Sequence, residues 1–179
     1  MNDAMVLQAD PRRDLVFERV VDVPAPALWA GWTRPELLQQ WFTPLPWQTV
    51  DCRIDLRPGG IFSTVMRGPE GQQFANLGCY LEIVDGRKLV WTSTLGPGYR
   101  PAPAVPAGVA SFQMTAIVAL QAQGPRTRYT AVVLHADEAA RERHEKMGFH
   151  VGWGKALDQL VALVGPAAGA SAADADTGR

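Results

Sequence analysis

The residues of this chain best suited to chemistry cluster in HEKMGFHVGWGKALDQL, from His144 to Leu160. Such a segment invites a metal reading, because a zinc-protease helix carries His-Glu-x-x-His, with two histidines on one helical face. Here His144 and His150 are six residues apart, which turns them roughly 240° from one another on a helix. The chain has three histidines, and the other, His135, precedes the segment. Neither Cys52 nor Cys79 sits in a ligand-spaced pair. The spacing therefore predicts no metal site, and no cofactor is expected. What remains is acid–base chemistry near neutral pH, with His135 or His150 as the group that would carry it. No nucleophile–base pair, carboxylate dyad or phosphate loop accompanies them, since Gly59-Gly60 follows Pro58 and reads as a turn. No catalytic residue is assigned on this basis.

The elements that must position these groups are legible from their periods. LVFERVVDV reads as a first strand, stopped by Pro24 and Pro26. PALWAGWT and PELLQQWF are two short helical pieces, the second with Thr33 as its cap and Pro35 just inside. The period then becomes two. WQTVDCRIDL puts Val50, Cys52, Ile54 and Leu56 on one face. IFSTVMR places Phe62, Thr64 and Met66 together, and QFANLGCYLEIV and RKLVWTSTL flank Asp85-Gly86, a hairpin signal. SFQMTAIVAL carries Phe112, Met114, Ala116, Val118 and Leu120 on one face, and RYTAVVLH carries Tyr129, Ala131, Val133 and His135. Asp137 is the expected cap of a terminal helix, and Gly148 is expected to break, kink or turn it. Beyond that glycine, His150, Trp153, Leu157, Leu160, Val161 and Val164 share a helical stripe, so the ring of His150 is expected to face the sheet. Gly154 lies on the same stripe and implies either close backbone approach or unfilled volume.

One strand, two short helices, about six antiparallel strands and a long terminal helix predict an α+β domain, with a curved antiparallel sheet closed by the helix. The 47% hydrophobic content supports a proper core in a chain of 179 residues. A formal net charge of -1 leaves no electrostatic footprint for nucleic acid. No apolar run approaches a membrane span and no signal-peptide pattern opens the chain. Two cysteines without framework spacing fit a reducing compartment, so a cytoplasmic location is expected. The domain is expected at 14–164. Residues 1–13 are expected to be disordered or extended, and 165–179 to form a disordered tail, because both are poor in apolar periodicity.

Four pieces in order carry a resemblance: LVFERVVDVPAPALWAGWTRPELLQQWF, DCRIDLRPGGIFSTVMRGPEG, GCYLEIVDGRKLVW and GFHVGWGKALDQLVAL. They resemble the SRPBCC, or START-like, superfamily, and within it the branch of homologues of the activator of the heat-shock protein 90 ATPase. The resemblance implies a helix-grip fold with an internal hydrophobic cavity. It does not imply one activity, because the family includes binders of hydrophobic molecules, polyketide cyclase-like enzymes and co-chaperones.

Three readings follow. The first is a module that binds a small hydrophobic or amphipathic molecule between sheet and helix. Its expected lining is Trp41, Phe62, Met66, Tyr80, Trp91 and Phe112, with Met114, Tyr129, His135, His150 and Trp153. The competing account is that the same side chains fill the core. The second reading is an acid–base enzyme on that cavity. The third is a co-chaperone-like adaptor in contact with a chaperone. The Pro-rich stretch Gly96 to Val109, with Tyr99 and Arg100, is a candidate for a cavity edge or a homodimer contact, against the simpler reading of an exposed hairpin extension.

Overall fold

A computed structural model describes residues 8–105 and 113–166. Strand β1, Asp14–Val21, alternates buried Leu15, Phe17 and Val21 with exposed neighbours, as a half-buried strand should. Helices α1, Ala25–Thr33, and α2, Pro35–Trp41, follow. Strands β2, Gln48–Ile54, β3, Ile61–Arg67, β4, Gln73–Val84, and β5, Lys88–Thr92, form a meander. A small separate hairpin, β6, Leu95–Gly96, and β7, Arg100–Pro101, interrupts it around a tight turn at Pro97–Tyr99. Strands β8, Met114–Gln123, and β9, Arg126–His135, complete the sheet, and helices α3, Glu138–Lys146, and α4, Phe149–Val164, end the fold.

Among the described residues the sheet has seven strands in the order β1-β9-β8-β5-β4-β3-β2, and every pairing is antiparallel. The two halves of the chain thus meet at the β5–β8 pair, and β1 and β2 are left as edges. Turn chemistry sets the meander: Gly59, Gly86 and Gly124 all adopt the left-handed backbone that their turns require. One sheet face packs against α1, α2 and α4 through a single apolar cluster that includes Leu15, Leu28, Trp32, Leu38, Val118 and Leu160. A smaller cluster of Val90, Ile117 and Val132 lies apart from it, with Ala9, Leu81 and Leu134 packed against it.

Two local expectations are corrected. Strand β2 does not hold one alternation throughout. Its register shifts between Thr49 and Asp51, so Thr49 rather than Val50 is buried ahead of buried Cys52, and Leu56, beyond the strand's end at Ile54, is exposed. An extra residue in one strand changes which side chains face the core. Thr33 does not cap α2. Its hydroxyl donates to the carbonyl of Trp29 at 2.8 Å, closing α1, and Arg34 occupies the cap position. Residues 10–13 lie ahead of β1 as a bonded turn, with Asp14 N donating to the Asp10 carbonyl at 2.8 Å and Arg13 Nε to the Asp10 carboxylate at 2.9 Å.

The terminal helices follow their sequence signals. Asp137 caps α3 by accepting from Ala140 N at 2.7 Å. Gly148, at φ 95°, separates α3 from α4 in a left-handed conformation that costs glycine little. Helix α4 approaches α1 closely at Gly31, where a β-carbon would lie 2.4 Å from the Leu160 side chain.

Candidate ligand-binding face

The inner face of the sheet and the helices across from it carry a continuous set of aromatic rings. Trp32 is the hub, with its ring centroid 4.8 Å from Trp41, 5.8 Å from Phe42, 5.2 Å from Trp91 and 6.3 Å from Trp153. Phe62 continues the set across β3, 5.8 Å from Phe42, 5.4 Å from Tyr80 and 5.2 Å from Trp91. Most of these contacts are edge-to-face or tilted, the arrangements the aromatic quadrupole favours. Rings therefore occupy much of the space that the sequence assigned to a cavity. Two recesses, of about 260 and 390 Å³, lie instead beside the N-terminal turn, against Arg141 and His150 in one case and Asp137 and Glu138 in the other.

Two polar atoms inside this aromatic set lack a hydrogen bond. The hydroxyl of Tyr80 and the indole N–H of Trp32 are buried without a partner, and each residue is only 1% exposed. Burial pushes the Tyr80 phenol far above its ordinary range, and the Cys52 thiol adds to the shift. Cys52 is itself pushed up to about 11 by burial and then by Asp51. Tyr129 is raised by burial as well, with the Trp32 N–H partly opposing the shift. That N–H is thus near the Tyr129 hydroxyl, but the pair falls outside hydrogen-bond geometry. By contrast, Trp41 Nε1 donates to the Gly31 carbonyl at 3.0 Å.

Beyond β3 and β4 the face opens to solvent. Phe74, paired with Met66 across β3 and β4, is 51% exposed, and its ring lies 5.6 Å from Trp47. The loop that carries Trp47 is held by α4. Gln159 Nε2 donates to the carbonyls of Trp41 and Thr43, and Gln159 Oε1 accepts from Leu45 N. Under the same loop the hydroxyls of Thr43 and Thr49 are 2.6 Å apart. One glutamine on the closing helix thus fixes the rim of the open end.

The sequence-derived lining divides accordingly. Trp41, Phe62, Tyr80, Trp91 and Tyr129 are buried in one cluster, and Met114 and Trp153 pack half-buried against it. Met66 is half-buried beside the open end. Phe112 lies outside the described residues. His150 is corrected: it is exposed, not turned to the sheet. Phe149 takes the inward position, with its ring 5.1 Å from His144 and 5.8 Å from Trp153, and His150 flanks it from outside at 4.9 Å. The first turn of α4 seats one ring there, and the phenyl has more apolar surface to bury than an imidazole.

His135 is buried but already engaged. Its Nδ1 lies 2.9 Å from the Arg13 carbonyl and its Nε2 lies 3.0 Å from His144 Nδ1. A carbonyl only accepts, so Nδ1 of His135 carries the proton, its Nε2 accepts, and His144 Nδ1 donates. Burial lowers both imidazoles, His144 to about 4 with the neighbouring His135 adding to the shift. His144, absent from the sequence-derived lining, shares a helical face with buried Ala140 four residues earlier. That spacing was the available signal. Among the described residues no group of three or more His, Cys, Asp or Glu could hold a metal.

Gly154 resolves toward close packing. A β-carbon there would lie 3.2 Å from a guanidinium nitrogen of Arg19 and 3.9 Å from the Phe17 ring. Arg19 sits over the Phe17 ring, 5.3 Å from its centroid, and pairs with Asp158 one turn further along α4.

Comparison with known proteins places this geometry. A family model described as Activator of Hsp90 ATPase homolog 1-like protein matches residues 22–165. A Nitrosomonas europaea protein of known crystal structure is 48% identical, with a TM-score of 0.81, over 87% of this chain and 96% of that one. A Chromobacterium violaceum protein shares the fold at 23% identity and TM-score 0.69, over 86% of this chain and 98% of that one. So does an AHSA1-like protein from Aeromonas hydrophila at 17% identity and TM-score 0.59, over 84% and 92%. No curated protein matches. No helix among the described residues is long and apolar enough to cross a membrane.

Proposed function

The chain belongs to the Activator of Hsp90 ATPase homolog 1-like family, with the helix-grip fold, and from that premise we propose that it binds a small hydrophobic or amphipathic molecule. The binding surface is the aromatic face between sheet and α4, with Phe62, Tyr80, Trp91 and Met114 on the sheet and Trp41 and Trp153 on the helices. The observation that carries this reading is the pair of buried polar atoms without partners, Tyr80 OH and Trp32 Nε1, on an otherwise apolar wall. A buried donor or acceptor left unpaired costs about 1–3 kcal/mol, and native proteins serve nearly all such groups with another protein group, an ordered water or a bound molecule. The open end at Met66, Phe74 and Trp47 supplies an approach. Of the two acid–base candidates, His135 has both ring nitrogens committed and His150 is exposed, which supports binding over catalysis.

Native mass spectrometry of the freshly purified full chain tests the proposal. A ligand retained from the host, or a hydrophobic additive taken up at one per chain, is the expected result. A chain that keeps its bare mass and shows no change in tryptophan fluorescence with any aromatic additive would count against it.

A further inference from the structure

The chemistry around Tyr80 narrows the class of ligand. Its hydroxyl can donate one hydrogen bond and accept others, whereas the Trp32 indole can only donate. The Tyr80 hydroxyl meets no partner in the protein, and the Trp32 N–H has only the neighbouring Tyr129 hydroxyl, outside hydrogen-bond geometry. The buried polar and charged side chains among the described residues are Thr43, Thr49, Thr64, Thr92, Thr127, Thr130 and His135, so no buried carboxylate, ammonium or guanidinium is available to neutralise an ion. Arg19, which sits over the Phe17 ring, is paired with Asp158. An ionised group brought here would lose its hydration without a counter-charge, a cost far above that of a hydrogen bond.

We infer that the buried end of the ligand is an uncharged hydrogen-bonding group, such as a hydroxyl or carbonyl on an aromatic or aliphatic body, that pairs with the Tyr80 hydroxyl. This rests on the binding reading above and adds the chemistry of the group that enters first. The shifts at Tyr80 and Cys52 agree with it, because both side chains are held in their neutral forms by burial. The rings within 5.8 Å of Phe62, set edge-on or tilted to it, supply the apolar surroundings for the body of the molecule.

The test compares naphthalene, 2-naphthol, 2-naphthoate and naphthylmethylammonium as probes, read by quenching of the chain's six tryptophans and by calorimetry at pH 7. The expected result is that 2-naphthol binds about tenfold more tightly than naphthalene, the scale of one neutral hydrogen bond, and that both ions bind more weakly than either. Tyr80→Phe should remove the advantage of 2-naphthol and leave naphthalene unchanged. Tighter binding of either ion, or a naphthol advantage that survives Tyr80→Phe, would overturn the inference while leaving ligand binding intact. A wild-type chain that binds none of the four probes would overturn the binding reading itself.

Discussion

Two buried polar regions of this protein stand in contrast. At the junction of β9 and α3, two imidazoles and a backbone carbonyl form a chain in which each hydrogen bond has a defined donor and acceptor. On the inner face of the sheet, a phenol and an indole are enclosed by rings and meet no partner. The first arrangement is complete within the protein and ties the N-terminal turn, the last strand and α3 together. The second is incomplete without something added. Histidines draw attention in a sequence because they can titrate. Here they serve architecture, and residues that pass for ordinary core filling carry the case for function.

The sharpest test of this contrast is the hub of the rings. Trp32→Ala is expected to cost about 3–5 kcal/mol, measured by urea denaturation, because a closely packed ring cluster relaxes only partly around a deleted indole. A loss below about 1 kcal/mol would mean that Trp32 is not the hub on which the other rings depend. His144→Phe should cost about 1–3 kcal/mol, since it keeps the contact with Phe149 but leaves His135 Nε2 without its donor. No loss there would return the imidazole pair to coincidence of packing.

The pH dependence of stability distinguishes the regions further. In the folded state His144 is held at about 4, below its ordinary 6.5, so the unfolded chain binds the proton more readily. Stability should therefore be fully present above about pH 6.5 and fall as pH drops towards 4. The first proton need not break the pair, because a charged His144 can still donate to His135. Loss of the bond itself requires the second proton. Thermal denaturation across this window should show a slope that flattens in His144→Phe, and an equal slope in both proteins would remove the pair from the account. The smallest expected effect lies on the other side of the comparison. Tyr80→Phe removes a hydroxyl with no partner, so the stability of the ligand-free chain should stay within about 0.5 kcal/mol of wild type or rise. A loss above about 1 kcal/mol would show that the hydroxyl is already satisfied, and the two regions would cease to differ.

The fold was largely legible in the sequence because its signals are local. Asp85-Gly86, Gly124-Pro125 and Pro58-Gly59-Gly60 placed the turns, and the two-residue periods between them placed the strands. The break at Gly148 was legible for the same reason. Positions that depend on one register step were not. The shift at Thr49–Asp51 put Thr49 in the inward place expected of Val50, and at the start of α4 Phe149 holds the inward place that the helical wheel gave to His150. Of the candidate lining, the rings of Trp41, Phe62, Tyr80 and Trp91 do converge. The missing partners of Tyr80 and Trp32 had no sequence signal, because an unmade hydrogen bond depends on every neighbour at once.

The bare backbone at Gly154 has a consequence for how the closing helix is seated. An apolar stripe alone repeats every turn, so a helix held only by such a stripe can slide along its groove and find a similar fit. The guanidinium of Arg19 rests where Gly154 has no side chain. Moving α4 by one turn in either direction would bring His150 or Asp158 to that place, and the guanidinium would have to give way to a side chain there. Glycine and arginine together act as a keyway. They favour the observed axial setting of α4, and so its seat over the sheet owes something to an omission in the helix as well as to the rings.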